Sequence, residues 1–130
     1  MHGKHLFEYA VVRIVPRVER EEFFNAGVIL YCAGKKFLDV QYFIDPDHLA
    51  SFKVDIENIN LEKYLHGFKL ISRGGAGSGP IGQLPPAERF RWLTATRSTV
   101  LQTSKVHPGF CDDPAQTLQV LFETLVLNYE

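Results

Sequence analysis

Cysteine, methionine and tryptophan are scarce in this chain: of its 130 residues two are Cys, one is Met and one is Trp. Cys32 and Cys111 form no CxxC pair and no metal-ligand spacing, so neither a disulfide framework nor a zinc site can be the basis of the fold. Cys32 lies in the apolar run GVILYCA and reads as a small buried side chain. The histidines His2, His5, His48 and His66 form no ligand pattern, and no metal or cofactor is expected. No apolar run approaches the roughly 18–20 residues that cross a bilayer. The opening MHGKHLFEYAVVRIVPR lacks both the uninterrupted apolar stretch and the small-residue cleavage site of a signal peptide. A cytoplasmic protein without membrane association is the expectation.

Acidic residues are nearly missing where basic ones gather. Residues 69–111 carry six Lys/Arg against the lone Glu88, residues 112–130 carry four acids and no base, and residues 1–68 hold 8 basic and 10 acidic side chains. With a net charge of −1, binding to nucleic acid is not expected, because neutralised phosphates supply most of that affinity. The asymmetry instead directs any anionic ligand or partner to the middle segment.

Apolar and β-branched residues are plentiful, and their spacing marks the elements. LFEYAVVRIV, residues 6–15, predicts a strand stopped by Pro16, with Tyr9, Val11, Arg13 and Val15 on one face and Ala10, Val12 and Ile14 on the other. RVEREEFFN, residues 17–25, is helix-compatible, with Arg17 and Glu21 at i,i+4. The strands 27–33 and 36–43, joined by Ala33-Gly34-Lys35, predict a hairpin. Asp45-Pro46 opens a short helix over 46–52, and Leu61, Tyr64, Leu65, Phe68 and Ile71 stripe a helix over 60–72. RGGAGSGPIGQ, residues 73–83, holds five glycines and predicts a flexible loop. A short helix AERFRWLTA, a strand over 97–104 and a turn at His107-Pro108-Gly109 follow. Asp113-Pro114, with Gln116 at the capping-box position, opens a final helix striped by Leu118, Leu121, Phe122, Leu125 and Tyr129. Val120 and Leu127 broaden that stripe, which calls for burial or for a contact between copies in a homo-oligomer. With no repeat and no linker in residues 1–130, the expected fold is a single α+β domain. It holds a mostly antiparallel sheet of about four strands with helices packed on one face.

Four stretches carry candidate chemistry. GSGPIG, residues 77–82, matches the glycine spacing of a dinucleotide-binding loop but follows a helix, is interrupted by prolines and lacks the later acid, so that reading fails. Arg89, Arg91 and Arg97, with Ser98 and Thr103 as hydrogen-bonding neighbours, suit a phosphate or carboxylate; equally, these arginines suit ion pairs with Glu19, Glu21, Glu22 or the acids of the last helix. Arg13 and Arg17 can complete the same basic pocket, while Arg13, a charge on an apolar strand face, needs a carboxylate or a ligand. In HPGFCDD, His107 and Cys111 have the residue types of Cys/His nucleophilic chemistry but no spacing that shows convergence.

The strings AVVRIVPRVEREEFFNAGVILYC, GPIG, RFRWLTATRSTVLQTSKVHPG and DDPAQTL together resemble a bacterial family known as domain of unknown function 3037. The likeness spans nearly the whole chain, with Lys105 standing where members often have proline. The resemblance implies no catalytic residue. It implies a HipA-type kinase encoded nearby, and hence a small companion or regulatory role. Two functions follow as expectations: a non-enzymatic module that binds a protein partner, or a site for a small anion built from Arg13, Arg17, Arg89, Arg91 and Arg97 with the 73–83 loop as lid, with an enzyme on such a ligand as its extension.

Overall fold

Val, Ile, Tyr and Phe dominate the first strand, and nothing before Pro16 interrupts its extended backbone. The result is β1 (His5–Arg17), 13 residues long, in a computed structural model that describes residues 3–17, 22–51, 61–95 and 100–128. β1 pairs antiparallel with β2 (Glu22–Cys32) on one side, and β2 pairs antiparallel with β3 (Phe37–Tyr42). On its other side β1 pairs with β4 (Leu101–Thr103) through Val12 to Ile14 and with β5 (His107–Cys111) through His5 to Tyr9. The sheet therefore runs β3-β2-β1 and closes on the two short strands β4 and β5. The expected hairpin forms, its turn closed by Lys36 in the left-handed region at φ 52°.

Among the described residues four α-helices accompany the sheet: α1 (Pro46–Ser51), α2 (Leu61–Arg73), α3 (Pro86–Leu93) and α4 (Pro114–Leu125). The caps are those the sequence predicts. The Asp113 carboxylate accepts from the N–H groups of Ala115 and Gln116 at 3.1 and 3.3 Å, and that of Asp45 from Asp47 N–H at 3.0 Å. No helix among the described residues is long and apolar enough to cross a membrane.

Three expectations need correction. The described residues of the 17–25 segment are not helical: Arg17 ends β1, Glu22 opens β2 opposite it, and Phe23 and Phe24 alternate between exposed and buried as a strand requires. Residues 107–109 are not a turn but the start of β5. The helices do not share one face. Ile29 and Val28 are neighbours in β2 and point to opposite sides; Ile29 packs with Leu65, Phe68, Phe90 and Leu93 of α2 and α3, and Val28 packs with Leu118 and Phe122 of α4. Strands buried on both sides explain the unbroken apolar runs AVV and AGVILYC. Of the 97–104 strand, residues 101–103 are seen, and Tyr129 of the last stripe lies outside the described residues. Val120 stays 52% exposed, so it adds nothing to the core.

Coverage of the sheet is diagonal. α2 and α3 gather over Val12 and Ile14, in the C-terminal half of β1, whereas α4 gathers over Phe7, Val28, Leu30 and Cys32, toward its N-terminal end. Two bulges flank the middle of β1. Ala26 is the extra residue between the Val12–Gly27 and Arg13–Asn25 pairs, and residues 104–106 separate β4 from β5. Ser104 makes the second bulge possible: its N–H donates to Val11 O at 2.8 Å while its hydroxyl accepts from Val11 N–H at 2.8 Å and donates to Lys105 O at 2.9 Å. Replacing Ser104 by alanine leaves a buried Val11 N–H without an acceptor. The expected loss is about 1–3 kcal/mol, read from urea unfolding midpoints with the far-ultraviolet circular dichroism unchanged; an unaltered midpoint would show that the hydroxyl does not hold the bulge.

Candidate functional site

Among the described residues, the basic side chains singled out in the sequence, Arg13, Arg89 and Arg91, take separate places. Arg89, on α3, donates through Nη1 to the carbonyls of Ile71 and Ser72, each at 2.9 Å, and through Nε to Leu84 O at 2.9 Å. Ile71 and Ser72 belong to the last turn of α2, whose carbonyls lack intrahelical partners, so Arg89 is the cap of that helix and places its charge at the negative end of the dipole. Gly74 makes room for it: at φ 69°, a side chain there would be strained and would press a Cβ to about 3.0 Å from the guanidinium. Arg91 is exposed on the last turn of α3, and Thr103 donates to Thr94 O at 3.2 Å. Arg13 lies on the opposite face of the sheet from α3, with its guanidinium carbon 4.4 Å from the centroid of the Phe23 ring. No carboxylate among the described residues pairs with it; the aromatic face answers its charge, and its Nε is buried without a hydrogen-bond acceptor. Of Arg17 the structure gives the main chain, paired with Glu22, and Arg97 and Ser98 lie outside the described residues, as do Glu19 and Glu21.

The glycine-rich segment turns its polar groups on itself. The Ser78 hydroxyl donates to Gly75 O at 2.6 Å and the Gln83 amide to Gly75 O at 2.7 Å, and the segment runs from α2 into a 3-10 turn at Ile81–Gln83. A cleft of about 190 Å³ lies among Phe23, Phe24, Asn25, His48, Leu125 and Asn128. Its polar chemistry is already engaged in joining elements: Asn25 donates to Leu125 O at 2.9 Å, and His48 stacks on Phe24 with centroids 4.6 Å apart.

What the structure does expose is one edge of the sheet. Leu6 and Phe110 face each other across the β1–β5 ladder, 52% and 64% exposed, on the side of the sheet that α2 and α3 cover only farther along. Burial of either side chain against a partner is worth about 1.5–3 kcal/mol. On the other side of the same ladder His107 lies against Tyr9, with centroids 5.3 Å apart, and Tyr9 against Phe7. Gly109 belongs to this strand because Phe7 lies against it: a Cβ there would come within 2.6 Å of the Phe7 ring.

The direction of the main-chain groups follows from two bonds. Ser104 N–H to Val11 O and Val15 N–H to Val100 O show that odd-numbered residues of β1 turn their groups toward β4 and β5. His107, Gly109 and Cys111, opposite Tyr9, Phe7 and His5, therefore bond inward, and Pro108 and Phe110 point outward. Proline sits where its missing N–H breaks no rung of the ladder. At the far edge of the sheet, outward-facing Val40 is closed off. The Asp39 carboxylate takes Val40 N–H at 2.8 Å, and Lys69 of α2 donates to Val40 O at 2.6 Å and to Asp39 at 2.8 Å.

Cys32 and Cys111 are buried together in the α4 core. Burial pushes the Cys111 thiol up from its ordinary value, and the neighbouring Cys32 thiol adds to the rise. A protonated, enclosed thiol is a poor nucleophile, and His107, four residues along the strand, is about 13 Å away; the pair does not support Cys/His chemistry. Tyr42, which donates to Glu62 at 2.9 Å, is likewise pushed up, by burial first and by that carboxylate second.

A family model described as a protein of unknown function, DUF3037, matches residues 9–126. No curated protein and no solved structure matches the chain significantly.

Arg89→Met should lower stability by about 1.5–3 kcal/mol, the scale for hydrogen bonds to a charged group, whereas Arg91→Ala should change it by less than about 0.5 kcal/mol. Chemical denaturation of both variants separates a helix cap from a surface charge, and equal effects would refute the assignment. Cys111 and Tyr42 stay protonated in the folded state at pH values where the unfolded chain releases their protons. Stability is thus full below the ordinary values of 9.0 and 10.0 and falls as pH rises through them. Melting temperatures should decline from about pH 9 upward. In Cys111→Ala the decline should begin later, with the tyrosine.

Proposed function

The chain belongs to the DUF3037 family, proteins of unknown function, and from its own surface we propose that it is a non-enzymatic binding module that docks onto a protein partner through the β5 edge of its sheet. The observation that carries this reading is the Leu6–Phe110 pair: two large apolar side chains, adjacent across a ladder, more than half exposed and uncovered by any described helix. Exposed leucine or phenylalanine alone means little, but an adjacent pair on an edge strand is the makings of an interface core. A small anionic ligand has weaker support, because Arg89 serves as a helix cap and Arg13 lies on the other face beneath Phe23. The family resemblance makes a HipA-type kinase encoded nearby the first partner to try, with the cytoplasm as the setting and regulation as the purpose.

Titration calorimetry of the purified chain against that kinase tests the proposal. Phe110→Asp and Leu6→Ser should each weaken binding by at least about tenfold, from loss of roughly 1.4 kcal/mol or more of apolar burial, while leaving the melting temperature within a few degrees. Wild-type affinity in both variants would place the interface elsewhere, and no binding by the wild type would remove the kinase as partner.

A further inference from the structure

We propose that the partner is held by main-chain pairing as well as by side chains: an extended segment of it adds to β5 as a sixth strand of the five-stranded sheet. This rests on the reading of the β5 edge as the docking surface. It goes further by naming the form of what docks there.

The outward groups of β5 decide the form. Phe110 presents both its N–H and its C=O, and Pro108 presents a C=O. A donor and acceptor on one residue, with a second acceptor two residues away, match the rungs offered by another extended chain. A helix has its own main-chain groups bonded internally and can offer no such match. The two edges of the sheet differ in this respect. At Val40 the far edge has both its outward groups occupied, by Asp39 and by Lys69, whereas β5 has no such cover among the described residues. Side-chain chemistry narrows the partner further. The incoming residue opposite Phe110 lands on the Leu6 side of the sheet, so it must be apolar, and its immediate neighbours turn to the His107 and Gly109 side. Opposite Pro108 the incoming chain donates but receives nothing in return, so pairing is confined to the two rungs at Phe110 and one at Pro108. The fitting partner is therefore a short extended segment with one central apolar residue, and a long strand would gain nothing from its extra length.

Phe110→Ala and Phe110→Pro separate the two contributions. Both remove the ring, and only proline also removes the outward N–H, which serves no bond among the described residues. With the HipA-type kinase as probe, alanine should weaken binding about tenfold, and proline should weaken it at least a further tenfold. In the wild type, hydrogen exchange at the Phe110 amide should slow on binding, a readout that does not depend on either variant folding. If proline binds as well as alanine, or the Phe110 amide exchanges at the same rate in the complex, docking is by side chains alone: the strand is overturned and the edge as docking surface survives. Wild-type affinity in Phe110→Ala would overturn the docking surface itself. Self-association of the wild type in sedimentation, abolished by Phe110→Pro, would assign the added strand to a second copy and overturn the partner.

Discussion

Every main-chain group of a buried strand must find a partner, and for β1 that requirement has to be met on both sides while both of its faces are also covered. The consequences reach most of the molecule. β2 satisfies one side over nearly the full length. The other side is shared between two short strands, and the join between them holds only because Ser104 uses its hydroxyl where a main-chain carbonyl would otherwise stand. The faces are met in the same divided manner, α2 and α3 over one half and α4 over the other. With 13 residues in β1 and helices of 8 to 13 residues in those three positions, neither layer covers the whole strand. The uncovered corners are then set by geometry: Leu6 and Phe110 at one end of one face, Arg13 and Phe23 at the other end of the opposite face. The exposed apolar residues on which the proposed docking rests arise from the way a long central strand is shared among shorter elements.

The two corners are not equivalent in energy. At the second corner Phe23 shields a guanidinium, and an exposed cation–π contact of this kind is worth on the order of 0.5–1 kcal/mol, so that ring already has an internal use. At the first corner Phe110 has, among the described residues, no ring partner comparable to the Tyr9–His107 contact on the reverse of the same ladder. It also sits where main-chain groups point outward. Apolar area and unpaired polar groups in one place favour a single kind of occupant, since covering the area with anything that left those groups dry would forfeit much of the gain.

Much of this was legible in the chain. The hairpin and the Asp113-Pro114 cap depend on neighbours in sequence and are legible in it for that reason. The errors have a common origin in contacts that sequence spacing cannot display. HPG looks like a turn, yet Gly109 answers to the Phe7 ring and Pro108 to the open side of an edge strand, both facts about β1 a hundred residues earlier. RVEREEFFN has helical charge spacing, but its described residues Glu22–Asn25 pair with the far end of β1, and pairing prevailed over local propensity. The burial of both sheet faces did leave a trace, the runs AVV and GVIL, in which adjacent residues cannot share a side. Arginines grouped in sequence suggested a pocket; the structure parts Arg89 from Arg13 because one sits on a helix above the sheet and the other on a strand, facing away from it.

The Lys69–Asp39 contact has a meaning beyond the stability of the pair, which at 16% and 29% side-chain exposure contributes modestly. A sheet with two free edges can be extended at both, each added copy presenting a fresh edge to the next, and the product is a filament of no fixed length. A sheet with its midpoint sealed on one side has a valence of one. With Val40 occupied by the molecule's own Asp39 and Lys69, the proposed pairing at β5 would add one strand and then stop, giving an assembly of defined stoichiometry.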